Sequence, residues 1–293
     1  QYGKVVGARA KGAVEAARLG AKALIIRSVG TSSNRFAHTG KMTYDPAVPK
    51  IPAVAISVPD AQQLARVLTK APEAKIKLQL DTQQTEDAVS HNVIGEITGS
   101  ERPDEIVLIG AHLDSWDQGT GALDDGAGVG LVMATAALIK QQGQPKRTIR
   151  VVLYGNEEGG LVGARAYAAK HAKELDKHVL ASESDFGAGR IWQFSTKFGP
   201  KSLPFAAEIQ RELTPLQIQP GNNDAFGGPD VSVLKALGVP VVSLEQDGSD
   251  YFDYHHTPND TLDKIDPAAL QQNLQAWIRM TSKVANSTID FRK

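Results

Sequence analysis

The sequence contains no cysteine among its 293 residues. Disulfide bonds and thiolate metal sites are therefore excluded, so any zinc must be bound by histidine and carboxylate side chains. Positive and negative side chains are almost equal in number, with 32 Lys and Arg and 33 Asp and Glu. The protein therefore lacks the excess of positive charge that attracts nucleic acid. No unbroken apolar run approaches the roughly 20 residues that a membrane-spanning helix needs. We therefore expect no nucleic-acid partner and no membrane partner.

Residues 1–82 form a first block of short helices and strands. The apolar spacing predicts helices over 13–19 and 61–68, buried strands over 23–26 and 53–56, and an alternating edge strand over 76–80. A long polar loop, 30–50, contains His38. A lone histidine in such a loop is expected to be solvated, so we expect no catalytic role for it and no chemistry in this block.

After a polar connector at 81–88, residues 83–293 show longer apolar segments. The pattern predicts strands over 92–98, 106–111, 148–155, 178–184, 191–195 and 239–244, and helices over 125–141, 161–172, 203–213, 231–237 and 267–288. Near-continuous apolar strands that alternate with helices are typical of a mostly parallel open sheet covered by helices on both faces. We therefore predict an α/β protein of two domains, 1–82 and 83–293.

The loop between the strand at 106–111 and the helix at 125–141 is unusually rich in aspartate and glycine. Such a loop is too polar for a packed connection and is suited to presenting ligands to a cation. His112 and Asp124 are its candidate metal ligands. Asp114, two residues after the histidine, is placed to orient the imidazole through a hydrogen bond.

Polar groups also follow three further strands of the predicted sheet. Glu157 and Glu158 come after the strand at 148–155, Asp185 after that at 178–184, and His256 in the loop after that at 239–244. Functional crevices of open α/β sheets lie past the carboxyl ends of the strands. We therefore expect these side chains on the same edge of the sheet as the aspartate-rich loop.

Five of these side chains suffice for two zinc ions if Asp124 is shared. His112 and Asp185 would complete one site, and Glu158 and His256 the other. Each zinc then keeps an open position for a bridging hydroxide, as catalytic zinc requires. Two Zn²⁺, three carboxylates and one hydroxide sum to zero charge, which suits a poorly solvated cleft.

Glu157 is not needed as a ligand. By itself, the pair Glu157-Glu158 is most simply interpreted as a solvated pair at the end of a strand. Beside the other clusters, Glu157 becomes the candidate general base, which takes a proton from the attacking water and returns it to the leaving amine.

These motifs resemble those of a known family, the co-catalytic di-zinc aminopeptidases. Within that family the chain is most similar to the carboxypeptidase Q (plasma glutamate carboxypeptidase) group and its bacterial relatives, and the similarity spans nearly the whole chain. The motifs concerned are His112-x-Asp114, Asp124-Asp125, Asn156-Glu157-Glu158-Gly159, Ser184-Asp185 and His256-Thr257-x-x-Asp260-Thr261.

The resemblance implies a secreted or periplasmic exopeptidase that cleaves dipeptides or short peptides with a free N-terminus. It further implies two zinc ions per chain, a homodimer, and a first block similar to an inserted protease-associated domain. Family members carry a further segment before this insert, so the first block is expected to be incomplete at its N-terminal side.

The resemblance also assigns roles to individual residues. Asp124 is implied to be the bridging ligand, Glu157 the base and Asp114 the partner of the first histidine ligand. The other histidine ligand is implied to be His256 rather than His255, because it precedes a threonine and stands four residues before an aspartate. A cis peptide bond is implied between Asp124 and Asp125.

Three other interpretations were weighed. A cyclising transferase similar to glutaminyl cyclase uses one zinc and lacks the imidazole at the position of His112, which is present here. A non-catalytic, receptor-like member of the same fold loses ligands or the base, and this chain retains both. A binding protein with a structural metal is disfavoured because structural zinc sites are usually closed by four protein ligands.

Overall fold

The computed structural model describes residues 6–83 and 85–293. Residues 1–5, the start of the predicted first block, lie outside the described residues. The chain forms two compact units. The first comprises the chain up to Val89 together with Trp116–Gly119 and Phe252–Asn259, and the second comprises Ser90–Ser115, Thr120–Tyr251 and Asp260–Lys293. The domain boundary after residue 82 and the assignment of a protease-associated domain stay predictions.

The first unit contains a two-stranded parallel sheet and two helices. Its elements are α1 (Gly7–Arg18), β1 (Leu24–Arg27), β2 (Ala53–Ile56) and α2 (Val58–Lys70). Ser57 is the N-cap residue of α2, and its hydroxyl accepts a hydrogen bond from the backbone N–H of Asp60. The predicted edge strand at 76–80 is wrong: these residues adopt no strand within the described part of the chain, and Ile76 and Leu80 are exposed.

The second unit is built on a seven-stranded sheet with the order β3-β5-β4-β6-β9-β7-β8. Its strands are β3 (Val93–Ile97), β4 (Arg102–His112), β5 (Arg147–Tyr154), β6 (His178–Glu183), β7 (Ile191–Lys197), β8 (Gln219–Pro220) and β9 (Val241–Gln246). Its helices of six or more residues are α3 (Ala127–Gln142), α4 (Val162–Lys170), α5 (Leu203–Leu213), α6 (Val231–Ala236) and α8 (Pro267–Ala285). The short helix α7 (Tyr251–Tyr254) begins in the second unit, and its last three residues belong to the first.

The four central strands β5, β4, β6 and β9 are mutually parallel. Strand β3 pairs antiparallel with β5, and β7 pairs antiparallel with β9 and parallel with β8. Side chains of β4 alternate between two cores: Val107 and Ile109 belong to one, and Ile106 and Leu108 to the other. The sheet is therefore covered on both faces, and the predicted α/β class is confirmed. Since the central strands run in one direction, their carboxyl ends share one edge.

Helix α3 crosses the centre of one face of the sheet. With the turn before it, the stretch Ala122–Gln142 is long and apolar enough to cross a membrane, contrary to the expectation from unbroken apolar runs. Asp124 and Asp125 near its start and Lys140 near its end limit its unbroken apolar run, which is why run length alone misses it. More than half of its most apolar window is buried within the protein, as is typical of a core helix.

A buried histidine lies at the start of β6, at the opposite end of that strand from the aspartate-rich loop. The Nδ1 of His178 is 2.9 Å from the carbonyl oxygen of Glu174, and its Nε2 is 2.7 Å from the hydroxyl of Tyr167. That hydroxyl also accepts a hydrogen bond from Arg150, so it donates to Nε2 and the imidazole is neutral. Burial lowers the pKa of His178 to about 4.

This histidine makes the stability of the second unit sensitive to acid. Its side chain takes up a proton near pH 6.5 when unfolded and only near pH 4 when folded. Above pH 6.5 the histidine is neutral in both states and protonation does not lower the free energy of unfolding. As the pH falls from 6.5 towards 4, the free energy of unfolding declines by about 3 kcal/mol in total. We expect the free energy of unfolding of His178→Gln, measured in urea across this range, to decline less steeply than that of the wild type. Parallel curves would contradict this.

Candidate metal centre

His112 is the last residue of β4 and is 1% exposed. Its Nδ1 lies 2.8 Å from the backbone carbonyl oxygen of Asp114, whereas the carboxylate of Asp114 is farther away, at 3.7 Å. Nδ1 therefore donates to the carbonyl oxygen, which leaves Nε2 as the metal-binding atom. In this structure the backbone of Asp114, more than its carboxylate, orients the imidazole.

Nε2 of His112 faces two carboxylates. It lies 3.1 Å from Oδ1 of Asp124 and 3.5 Å from Oδ1 of Asp185, and one ligand atom from each residue fits within 4.8 Å of the others. Ligand atoms bound tetrahedrally to zinc at 2.0–2.1 Å stand roughly 3.3 Å apart. One imidazole and two carboxylates at this spacing fit one zinc ion.

The charges of this cluster also favour a cation. Burial raises the pKa of Asp185, although the neighbouring His112 opposes the shift. Burial alone would lower the pKa of His112, but the charge of Asp185 and the nearby carboxylates of Asp114 and Asp124 raise it well above its ordinary value. Buried carboxylates are costly without a compensating positive charge, and a divalent cation supplies one.

The loop after β5 is held by the carboxylate of Asp114. Its Oδ1 accepts a hydrogen bond from the backbone N–H of Glu157 at 2.9 Å, and its Oδ2 accepts one from the N–H of Glu158 at 3.1 Å. Burial, followed by the charge of Asp185, raises the pKa of Glu157 to about 8. The structure therefore links the Glu157-Glu158 pair directly to the turn that follows His112.

His256, the remaining predicted ligand, belongs to the first unit. Its Nδ1 lies 3.0 Å from the carbonyl oxygen of Thr39, and its ring lies 5.7 Å from that of Trp116. A donated Nδ1–H again leaves Nε2 for a metal, the same tautomer as in His112. Its role as a ligand, and the choice of His256 over His255, stay predictions.

Two aspartates with positioning roles were not found from the sequence. Asp125, directly after Asp124, accepts hydrogen bonds from the backbone N–H groups of His112 and Gly128. Asp260 accepts from those of Leu123 and Asp124 at 2.6 and 3.2 Å. Both aspartates lie within the sequence motifs given above, and this is the feature of the sequence that could have identified them. The peptide bond between Asp124 and Asp125 is cis, as the resemblance implies.

A buried acidic pair, Glu183 and Asp230, also went unnoticed in the sequence. Oε2 of Glu183 accepts a hydrogen bond from the backbone N–H of Val231 at 3.0 Å. Burial raises the pKa of both carboxyls, that of Asp230 to about 7. Glu183 stands two residues before Asp185, and burial favours the neutral, protonated form of its carboxyl group.

Loss of the Asp260 carboxylate is expected to weaken metal binding. Asp260→Asn presents an amide N–H₂ to backbone N–H donors, so the segment carrying Asp124 is held less well. Loss of such an outer hydrogen bond typically costs 10–100-fold in metal affinity, and we expect a zinc Kd raised by that factor in competition with a chelator. Asp263→Asn is the control, because Asp263 is exposed and bonds Thr261 and Lys264. Equal affinities of Asp260→Asn and the wild type would contradict the role of Asp260.

Residues 92–281 match the model of peptidase family M28. The chain belongs to that family. It is 39% identical over 288 residues to carboxypeptidase Q of Xenopus laevis and 37% identical over 286 residues to that of Homo sapiens, in both cases over 97% of this chain.

Solved structures show the same fold. A peptidase M28 precursor from Shewanella amazonensis superposes with a TM-score of 0.94 at 52% identity, covering 100% of this chain and 66% of that one. An aminopeptidase from Aneurinibacillus has a TM-score of 0.63 at 23% identity, covering 96% of this chain and 69% of that one, and shows the fold alone. The chain spans 61% and 60% of the length of the two carboxypeptidases.

Proposed function

We propose that this protein is a di-zinc exopeptidase that hydrolyses dipeptides or short peptides with a free N-terminus. The cluster of His112, Asp124 and Asp185 carries the proposal. It brings one imidazole and two carboxylates, side chains that bind zinc, to the distances expected between the ligands of one zinc ion. Family membership and the names of the relatives support it. These residues form the first site, and Glu158 and His256, with Asp124 shared, form the second.

Zinc, when bound, polarises the scissile carbonyl and lowers the pKa of water. The protein supplies the proton transfer. Glu157 takes the proton from the attacking water and delivers it to the leaving amine, as a general base and then a general acid. Asp114 positions both Glu157 and Glu158 by accepting hydrogen bonds from their backbone N–H groups. Asp125 and Asp260 hold the segment that carries the bridging carboxylate.

The finer assignments belong to the same proposal. The first unit serves as a protease-associated domain that limits entry to short chains, and the protein is a secreted or periplasmic homodimer. An acyl transfer similar to that of glutaminyl cyclase fits these residues less well. That enzyme lacks the imidazole at the position of His112, whereas here His112 and two carboxylates form a complete set of three metal ligands. A receptor-like member without activity fits less well for the same reason.

Acetylation of the substrate amine tests this function. A free α-amino group binds one metal while the adjacent carbonyl is attacked, so blocking it removes a charge-assisted anchor and adds bulk. We expect kcat/KM for an N-acetylated dipeptide to be at least about tenfold lower than for the free dipeptide, which corresponds to 1.4 kcal/mol. Equal rates, or internal cleavage of a folded protein, would contradict the exopeptidase assignment. Conversion of an N-terminal glutamine into a pyroglutamyl residue with release of ammonia, and without peptide-bond hydrolysis, would favour the cyclase.

A further inference from the structure

The loop between β6 and β7 carries Asp185 and is bound at both of its ends. The backbone N–H of Ser184 donates to the carbonyl oxygen of Gly110 in β4, and the carbonyl oxygen of Arg190 accepts from the N–H of Asp247. Asp185 follows Ser184 directly. The backbone between these two hydrogen bonds therefore determines how firmly the carboxylate of Asp185 is held.

Two buried amide side chains bind the middle of this loop. Nε2 of Gln246, the last residue of β9, donates to the carbonyl oxygen of Gly187 at 2.7 Å, and Nδ2 of Asn273, in α8, donates to that of Gly189 at 2.9 Å. Nε2 of Gln246 also donates to Oδ1 of Asn273 at 2.9 Å, so the two amides are joined to each other. The two carbonyl oxygens belong to residues two and four positions after Asp185.

The burial of these amides would be costly without their hydrogen bonds. Gln246 is 6% exposed and Asn273 is fully buried. The next turns of α8 contribute Ala276, Trp277 and Met280 to the apolar core, so an apolar side chain would suit the position of Asn273 in packing terms. Since a buried amide without partners is destabilising, we infer that the polar side chains are present for the carbonyl groups that they bind.

The glycines of the loop explain why it needs such partners. A Cβ on Gly189 would collide with the carbonyl oxygen of Asp247, and one on Gly187, whose φ is +80°, would stand 2.9 Å from the ring of Tyr251. Glycine lets the backbone follow this path, but it has more conformational freedom than any other residue and no side chain to pack. The two amide hydrogen bonds supply the restraint that glycine lacks.

The other predicted ligand segments are held in a comparable way. The carboxylate of Asp260 accepts from the backbone N–H of Asp124, and that of Asp114 accepts from those of Glu157 and Glu158. In each case a polar side chain binds the backbone at a predicted ligand. There the side chain is a carboxylate that accepts from N–H groups, whereas the loop after β6 presents carbonyl oxygens and is bound by amide donors.

We propose that Gln246 and Asn273 position Asp185 for zinc binding by holding the loop after β6. The proposal rests on the first zinc site of the proposed function and goes beyond it, because it assigns a role to two residues that are not ligands. Oδ1 of Asp185 lies 3.5 Å from Nε2 of His112, close to the separation of two ligands of one zinc ion. Without the two amides the loop must be ordered when the metal binds, at a cost in conformational entropy.

Zinc titration of Gln246→Met and Asn273→Leu in competition with a chelator tests the proposal. Both substitutions keep roughly the volume of the side chain and remove the donated hydrogen bond. Loss of such an outer hydrogen bond typically costs 10–100-fold in metal affinity. We expect the Kd of one zinc ion to rise by that factor in each variant, while the other ion keeps the Kd of the wild type. Wild-type affinity for both ions in both variants overturns the proposal.

Gln272→Met is the control matched for stability. Gln272 is the neighbour of Asn273, is equally buried within α8, and exchanges two hydrogen bonds with the backbone of Ile191. Ile191 belongs to β7 and not to the loop. This variant should therefore unfold at lower urea concentration than the wild type and still bind both zinc ions with wild-type affinity. A zinc Kd raised as much as in Gln246→Met would show that loss of stability alone weakens binding, which overturns the proposal.

Hydrogen exchange of the metal-free proteins measures the loop without zinc. Peptides that cover 184–190 should exchange faster in Gln246→Met and Asn273→Leu than in the wild type, and at the wild-type rate in Gln272→Met. Unchanged exchange in the first two variants overturns the positioning role. A wild type that binds no zinc contradicts the proposed function together with this proposal, whereas a wild type that binds zinc and variants that bind it equally contradict this proposal alone.

Discussion

Replacing Glu157 by glutamine is expected to lower kcat for dipeptide hydrolysis by about 10²–10⁴-fold, the usual contribution of a general base. Glutamine keeps the shape of the side chain but cannot accept the proton of the attacking water. The backbone N–H of residue 157 still donates to Asp114, so the loop should keep its position. Steady-state kinetics of the zinc-loaded variant measures the effect, and the zinc content should barely change.

The adjacent substitution Glu158→Gln provides the matched comparison. Both residues donate their backbone N–H groups to Asp114, but Glu158 is the proposed ligand. Glu158→Gln should therefore lose bound zinc as well as activity, whereas Glu157→Gln should lose activity alone. Near-normal turnover of Glu157→Gln would show that another group activates the water.

Replacing Asp124 by alanine is expected to remove both zinc ions. Asp124 is the proposed shared ligand of two metals roughly 3.5–4 Å apart, so its loss affects each site, whereas His112→Ala should weaken mainly one. After reconstitution and dialysis, elemental analysis should give two zinc ions per chain for the wild type, about one for His112→Ala and close to none for Asp124→Ala.

Asp117→Ala is the control for this series, because Asp117 lies in the same aspartate-rich stretch and is exposed. It should retain two ions. One zinc per chain in the wild type, or two in Asp124→Ala, would refute the two-metal arrangement and leave a single-metal mechanism.

Periodicity along the chain was sufficient to predict the class of the second unit. Strands β5 and β6 and the second half of β4 are almost wholly buried, so these segments are rich in apolar residues, as is typical of parallel strands covered on both faces. Parallel direction then places the residues after each strand on one edge. That geometry is why Asp185, which is distant in sequence, could be grouped from the sequence with His112 and Asp124.

The alternation of apolar and polar residues at 76–80 led to a wrong strand prediction, because a strand also needs a neighbouring strand with which to pair. Strand pairing is a long-range property that five residues do not encode, and no pairing of 76–80 with a strand is found among residues 6–83 and 85–293. The antiparallel partners β3 and β7 likewise could not be distinguished by pattern from the parallel strands.

The amino-acid sequence by itself determined the α/β class, and it predicted the metal ligands and the edge of the sheet on which they were expected. Only the tertiary structure decided which carboxylates position the others, as Asp125 and Asp260 do through backbone N–H groups. It also decided that His38 is buried beside Arg9, which corrects the expectation that it is solvated. The physical reason is that hydrophobic periodicity is local, whereas burial and hydrogen-bond partners of polar side chains depend on residues distant in sequence.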